Sequence, residues 1–420
     1  MLAPHEDDEA LGASGVIQRA LAVGAEVRIV YLTYGDHNEW AFLMYRKNPV
    51  LTPGVNLKMG VTRRREATAA MRSLGLSEDH LVFLGFPDNG TLAIWQEHWG
   101  SATAFHSLLT NTKKVPYADA ACYQRPYKGE EILAALETQL LNFRPTRILV
   151  THPLDSNPDH SAYYVFLQVA LLDLQGRWPT PEVYCYPLHM GTWPRPLFYH
   201  PDDWLLVPKI LRTDPSPWWD FELTPEETAR KYNAIRMNKS QMADHAYWLV
   251  SLARRNELFT RPQGIPLQGP VWGVGPGAVP HPQTEAYEKG VSTGIVSAVS
   301  FSETPGDWIV RVHLRHRIQA EGGLSLSAFG YRHDKAFSQM PKLHLWWSLR
   351  RLHAYHQKQE IPAGPFSLQE TATDVTFRIP WSELDAPDTI FVQVRGLVGG
   401  LPVSQTSWQV VVPSASKPRF

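Results

Sequence analysis

The chain is predicted to be a mixed α/β protein in which a mostly parallel, helix-flanked sheet precedes a domain of short antiparallel strands. Three observations predict this. Apolar, strand-like runs alternate with amphipathic helical patterns over roughly the first 260 residues. A stretch rich in proline and glycine then interrupts the alternation. Beyond it the helical period disappears, and short alternating runs recur at intervals punctuated by turn residues.

Gly12 to Ala22 sets Val16, Ile17 and Leu21 on one face and stops at Gly24, which predicts the first crossover helix. Val27 to Leu32 is a β-branched run of the kind buried on both faces of a sheet. A helix is expected from Arg63 to Leu74, ended by Gly75 as a left-handed cap. Leu81–Leu84 reads as a strand, Glu130–Phe143 as a helix, Arg147–Val150 as a strand, Ser161–Leu174 as a helix and Val183–Tyr186 as a strand. Such alternation argues for right-handed crossovers in a Rossmann-like sheet. Residues 36–62 and 89–128 read as long connections, which in compact domains are functional or lid-like. Pro225 to Glu257 reads as one helical stretch closing a domain of residues 1–260.

Residues 261–290, with Pro262 to Pro282 at their heart, read as a linker or strapping segment. Residues 291–420 read as a β-sandwich, on runs such as Trp308–Val312, Val375–Ile379, Ile390–Val394 and Trp408–Val412. The phrase Val375 to Leu384, with its Ile379-Pro380-Trp381 step, faintly resembles β-sandwich carbohydrate-binding modules. A purely structural sandwich is the equal alternative.

Composition narrows the function classes. The 420 residues are 44% hydrophobic and 19% charged, with a net charge of −1 and no long run of Lys and Arg, which argues against nucleic acid as a partner. No apolar stretch is long enough to span a membrane. Cys122 and Cys185 are too few for a disulfide framework and unlike a zinc knuckle in spacing. The 15 tryptophans suit either sugar stacking or core packing. Only Met1-Leu2-Ala3 precede Pro4, where a first strand normally runs about five residues. The natural chain is therefore expected to begin earlier, which leaves cytoplasmic and exported locations both open. Nothing in the sequence speaks to oligomeric state.

Two polar clusters carry the chemistry. Pro4-His5-Glu6-Asp7-Asp8-Glu9 follows a short apolar run, and His5 and Asp8, spaced i,i+3, can reach one ion if the turn after Pro4 opens a helix. Asp7 then points elsewhere, which suits a base better than a ligand. The plain alternative is a helix N-terminus carrying acids against its dipole. The second cluster, Thr151 to His160, holds two histidines and two carboxylates after another strand-like run and supplies a third ligand for a zinc site with one open position. Both clusters are expected at the carboxyl ends of parallel strands, where such sheets place their sites.

These segments resemble the PIG-L/LmbE family of zinc-dependent N-acetylglucosaminyl deacetylases, whose signatures are His-Pro-Asp-Asp-Glu and His-Pro-Asp-His. Here they read His5-Glu6-Asp7-Asp8-Glu9, with Glu6 in the proline position, and Asn157-Pro158-Asp159-His160. The resemblance, extended by Arg63-x-x-Glu66, Leu84 to Asp88, Lys231-x-x-Ala234-Ile235 and Ser240-Gln241, covers roughly residues 1 to 260. It implies that His5, Asp8 and His160 bind zinc or another divalent metal and that Asp7 is the general base. It also implies Arg63 and Asp88 on the substrate side, although Asp88 could cap a loop and Arg63 could pair with Glu66. Asn157 departs from the family's histidine and cannot deliver a proton at neutral pH. The acid role then falls to His152, His189 or Asp7 itself, each histidine being equally readable as structural. Asp159 is expected to orient a ligand histidine.

The implied activity is removal of the acetyl group from an N-acetylated amino sugar or glycoconjugate. Two alternatives stand beside it: a glycan-binding protein whose catalytic domain is weakened by Asn157, and a hydrolase of an ester or non-sugar amide.

Overall fold

The computed structural model describes residues 1–47, 52–212, 216–269, 272–275, 279–280, 295–319 and 321–414. Much of the proline- and glycine-rich stretch 261–290 lies outside the described residues. The chain forms two compact units, the first comprising Met1–Lys209 and Ser216–Pro262 and the second the remaining residues.

The first unit opens with β1 (Leu2–Ala3), α1 (Asp8–Ala22), β2 (Ile29–Thr33), α2 (Glu39–Arg46), α3 (Pro53–Ser73), β3 (Leu81–Phe86) and α4 (Thr91–Glu97). It continues with α5 (Gly129–Phe143), β4 (Arg147–Thr151), α6 (Pro158–Asp173) and β5 (Glu182–Tyr186). It closes with β6 (Trp218–Glu222), α7 (Pro225–Met237), α8 (Lys239–Leu249) and β7 (Asn256–Thr260). β1, β2 and β3 pair in parallel, as do β4 and β5. β2 is buried along its whole length, as its unbroken apolar run requires. β1 touches β4, so the loops that follow these two strands meet.

Three expectations change. First, α3 begins at Pro53, ten residues before Arg63, because Thr52 accepts a hydrogen bond from the Val55 amide and Pro53 occupies the first helical turn. Second, the long connections contain α2 and α4. Third, the stretch from Pro225 breaks at Asn238 into two helices, and Asn256–Thr260 is a strand, antiparallel to both β5 and β6. All five residues of β7 are buried, so the two-residue alternation that marks a strand in sequence is missing there.

A buried ion pair fixes α1. The helix is kinked at Ala13, which frees the amides just beyond the kink. Gly15 and Val16 donate to the two oxygens of Glu257 at 2.9 and 3.1 Å, while Lys231 Nζ donates to Glu257 Oε1 at 2.8 Å. A carboxylate on β7 thus caps the second half of a helix from the start of the chain, and Lys231 neutralises it.

The second unit is an antiparallel, strand-rich region. Its strands are β8 (Ile265–Pro266), β9 (Gly273–Val274), β10 (Val279–Pro280), β11 (Val296–Glu303), β12 (Asp307–Leu314), β13 (Gly322–Tyr331) and β14 (Lys342–Ser348). There follow β15 (Arg351–His356), β16 (Gln359–Ile361), β17 (Ser367–Glu370), β18 (Asp374–Pro380), β19 (Thr389–Val398), β20 (Leu401–Gln405) and β21 (Gln409–Val412). One sheet runs β17-β18-β12-β11-β9, and a larger one runs β10-β20-β19-β13-β14-β15-β16. A single hydrophobic cluster draws on both, with Phe301, Val310 and Phe377 from the first and Leu324, Leu326, Leu345 and Val392 from the second.

Candidate metal centre

The turn after β1 carries His5 and Asp7, α1 opens with Asp8, and α6 carries His160 in its first turn. His5 Nδ1, Asp8 Oδ2 and His160 Nε2 form a triangle with edges of 3.4, 3.2 and 3.1 Å. Ligand atoms about 2.0–2.1 Å from a tetrahedral ion stand about 3.3–3.4 Å apart, so these edges match one face of a zinc tetrahedron. The far nitrogens are held as such a site needs. His5 Nε2 lies 3.2 Å from both Asp88 Oδ1 and Asp159 Oδ2, and His160 Nδ1 lies 3.1 Å from Asp155 Oδ2. Each carboxylate fixes the ring proton on the outer nitrogen, which leaves the inner lone pairs convergent. The donor set therefore fits a divalent cation on the chemistry of its own residues.

Asp7 stands apart from that triangle. Its Oδ1 accepts a hydrogen bond from Arg63 Nη2 at 3.3 Å. Burial pushes the Asp7 carboxyl up, against the opposing pull of Arg63. Arg63 is 4% exposed; its Nη1 donates to the Gly35 carbonyl at 3.2 Å, and its Nε stands 3.7 Å from Glu6 Oε2. Gly35 lies at φ +55, and a β-carbon there would come within 2.3 Å of Arg63, so the close approach requires glycine. Glu66, one turn along α3, does not pair with Arg63. It accepts from the Ser240 amide and hydroxyl, tying α3 to the start of α8.

The other expected residues each find protein partners near the centre. Arg63, expected on the substrate side, is buried beside Gly35, Asp7 and Glu6 and hydrogen-bonds the first two, while its Nε has no hydrogen-bond partner. Asp88 is occupied by His5 and by the His37 amide, 2.9 Å from its Oδ2, so it supports a candidate ligand. His152 is buried, accepts from the Leu154 amide through Nδ1 at 3.1 Å and lies against Trp218, outside the three-residue cluster. His189 does reach the cluster, its ring 4.8 Å from that of His160, and stacks on Trp248 at 4.9 Å. Burial pushes His189 down to about 4, which favours the neutral imidazole with a single ring N–H. Asn157 caps α6, its Oδ1 accepting from the Asp159 amide at 2.9 Å.

Sequence reasoning gave Asp155 no role, yet its Oδ2 holds His160 and accepts from the His189 amide at 3.0 Å, while its Oδ1 accepts from the Asn157 amide at 3.0 Å. Its signal was a carboxylate five residues before a ligand histidine in the same loop. Asp159 accepts from the Asn89 amide at 2.5 Å and from the Thr91 amide and hydroxyl at 3.0 and 2.6 Å, which aims its Oδ2 at His5.

Known proteins are similar to part of this first unit. Residues 1–171, less than half of the chain, match the PIG-L family model, described as GlcNAc-PI de-N-acetylase. Two curated proteins from Mycobacterium sp. strains KMS and JLS, each called 1D-myo-inositol 2-acetamido-2-deoxy-alpha-D-glucopyranoside deacetylase, are 29% identical over 183 residues. That is 43% of this chain and 51% of theirs, so the chain spans about half the length of the curated relatives it matches. Conserved protein TT1542 from Thermus thermophilus is similar in structure at 22% identity, covering 62% of this chain and 93% of its own, with a TM-score of 0.36. The N,N'-diacetylchitobiose deacetylase from Pyrococcus horikoshii is similar at 17% identity over 60% of this chain and 73% of its own, with a TM-score of 0.36. The family match encloses His5, Asp7, Asp8 and His160, and residues 1–171 are a PIG-L family domain.

Proposed function

We propose that the chain is a metal-dependent amidohydrolase that removes the acetyl group from an N-acetylglucosamine-type sugar or sugar conjugate. The observation that carries this reading is the triangle of His5, Asp8 and His160 with a separate buried carboxylate, Asp7, beside it. The family description and the deacetylase names of the mycobacterial relatives support the substrate class. Zinc, or another divalent cation, held by His5, Asp8 and His160 would supply an acidified water and a polarised amide carbonyl.

The chain's own residues do the remaining work. Asp7 takes the proton of the attacking water and, with His189 neutral and Asn157 an amide, passes it to the departing amine nitrogen. Arg63 orients Asp7 for both transfers. Asp88 and Asp159 on one side, and Asp155 on the other, keep the ligand histidines from rotating. Asn157 retains two amide hydrogens to donate to a developing oxyanion, since only its carbonyl is used in the cap.

The first unit is read as a Rossmann-like domain and the second as a β-sandwich. The cluster shared by its two sheets supports the latter. The test is incubation of the zinc-loaded full chain with a panel of N-acetylated amino sugars and their conjugates, with mass spectrometry for the free amine and an enzymatic assay for acetate. Absence of acetate release from every member of the panel would refute the reading.

A further inference from the structure

Gln241, in the first turn of α8, is 4% exposed and takes no part in the proposed hydrolysis, yet both ends of its amide are engaged. Its Oε1 accepts from Asn38 Nδ2 at 2.6 Å, and its Nε2 donates to Ser240 Oγ at 3.1 Å. Ser240 Oγ in turn donates to Glu66 Oε2 of α3 at 2.6 Å. A bridge from Asn38 to Ser240 needs a side chain that accepts at one end and donates at the other, and a primary amide does both. Burying that amide is costly unless each end is bonded, as it is here.

The bridge ends on the turn between β2 and α2, where each of four consecutive residues is held from a different direction. The Gly35 carbonyl accepts from Arg63 of α3, Asp36 Oδ2 accepts from the Tyr117 hydroxyl at 2.6 Å, the His37 amide donates to Asp88, and Asn38 donates to Gln241. Asn38 also caps α2, its Oδ1 accepting from the Ala41 amide. Arg63 and Glu66 lie one turn apart, so α3 grips the turn at Gly35 directly and at Asn38 through Ser240 and Gln241. The link to the centre is His37. Its amide fixes Asp88 Oδ2, which sets Asp88 Oδ1 3.2 Å from His5 Nε2. A carboxylate displaced from that place no longer holds the His5 proton on Nε2, the condition for keeping Nδ1 free for a cation. Asp159 Oδ2 stands at the same 3.2 Å from His5 Nε2, so loosening the turn weakens the arrangement without abolishing it.

We propose that Gln241 is a positioning residue for the metal centre, acting through Asn38 and the His37 amide to aim Asp88 at His5. This rests on the reading of His5, Asp8 and His160 as metal ligands. Two substitutions separate the bridge from the cap: Gln241→Met keeps the length of the side chain and removes both of its hydrogen bonds, and Asn38→Ser keeps a capping oxygen for α2 but removes the amide donor. Zinc affinity is measured on the full chain by competition with a chromophoric chelator, for the parent, each single variant and the double, with circular dichroism to establish folding. Each single variant should bind zinc about threefold to tenfold more weakly, the range of one hydrogen bond and below that of a carboxylate touching a ligand. The double should fall within about twofold of the weaker single, because both changes remove one bridge. Hydrogen–deuterium exchange on the metal-free chain supplies a second readout: residues 35–42 should exchange faster in each variant, while β2 exchanges as in the parent. Parental zinc affinity in both single variants, additive losses in the double, unchanged exchange over residues 35–42, or an equal rise in β2 would each overturn the proposal. Should Gln241→Met fail to fold, Asn38→Ser decides alone by the same two measurements. A parent that binds no zinc refutes the ligand reading and the proposal together, whereas a parent that binds it beside unaffected variants refutes the proposal only.

Discussion

Asp155 is the most informative residue to perturb, because three donors converge on its two oxygens. In Asp155→Asn the carbonyl oxygen can keep the Asn157 amide, but the new NH2 group then faces His160 Nδ1 and the His189 amide, both donors in the parent. His160 can relieve the clash only by moving its proton to Nε2, the nitrogen that lies 3.1 Å from His5 Nδ1 and 3.2 Å from Asp8. The lone pair needed for a cation is then lost. Removing such a supporting carboxylate weakens metal binding by about 10–100-fold, or about 1.4–2.7 kcal/mol. The tautomer conflict puts the asparagine at the upper end, and Asp155→Ala, which introduces no competing donor, at the lower end. Zinc affinity is measured by competition with a chromophoric chelator, with circular dichroism to establish that both variants are folded. Zinc affinities within about threefold of the parent in both variants, well short of that range, would refute the assignment of Asp155 as the group that orients His160.

Asp7→Asn should keep its zinc content while acetate release falls by about 10² or more, because the amide cannot accept the proton; near-parental turnover in a zinc-loaded variant contradicts the base role. Lys231→Met strands the Glu257 carboxylate in the interior and should cost about 3–5 kcal/mol in denaturant unfolding, a loss below about 1 kcal/mol being incompatible with a buried pair. Glu137 on α5 is pushed up to about 7 by burial and by its hydrogen bond with Asp173 of α6. A raised carboxyl pKa means that the native state favours the protonated form, so its contribution to stability is lost as pH rises from about 4.5 through 7. Glu137→Gln should therefore raise the melting temperature near pH 8 and leave it unchanged near pH 5, and equal effects at both would contradict the shift.

The residues that meet at the candidate centre were legible because their chemistry is written locally. His5, Asp7 and Asp8 occupy one turn, His160 opens one helix, and each group follows an apolar strand. What surrounds them was not. Arg63 and Asp88 were placed on the substrate side by family resemblance, which says nothing of burial, and only the packing of α3 beside the Gly35 turn shows the guanidinium against Asp7. Asp155 was visible in its loop, but the partner of a carboxylate five residues upstream depends on the turn between them. The start of α3 was missed although Thr52 and Pro53 are ordinary helix-initiation residues, because Gly54 and Gly60 weaken the helical pattern ahead of Arg63. β7 escaped because a fully buried five-residue strand has no alternation to read.

Glu257, which caps the second half of α1 from β7, bears on the order in which the protein becomes competent. All three candidate ligands and the base are in the chain once His160 is synthesised, but the carboxylate that anchors α1, which Asp8 opens, is added almost a hundred residues later, after its counter-ion Lys231. A chain halted just beyond residue 171 would contain every group of the centre but would leave α1 with two uncapped interior amides. If the centre holds a metal as proposed, tight capture is therefore expected only of a chain that includes β7, and a chain ending near residue 171 should bind it more weakly.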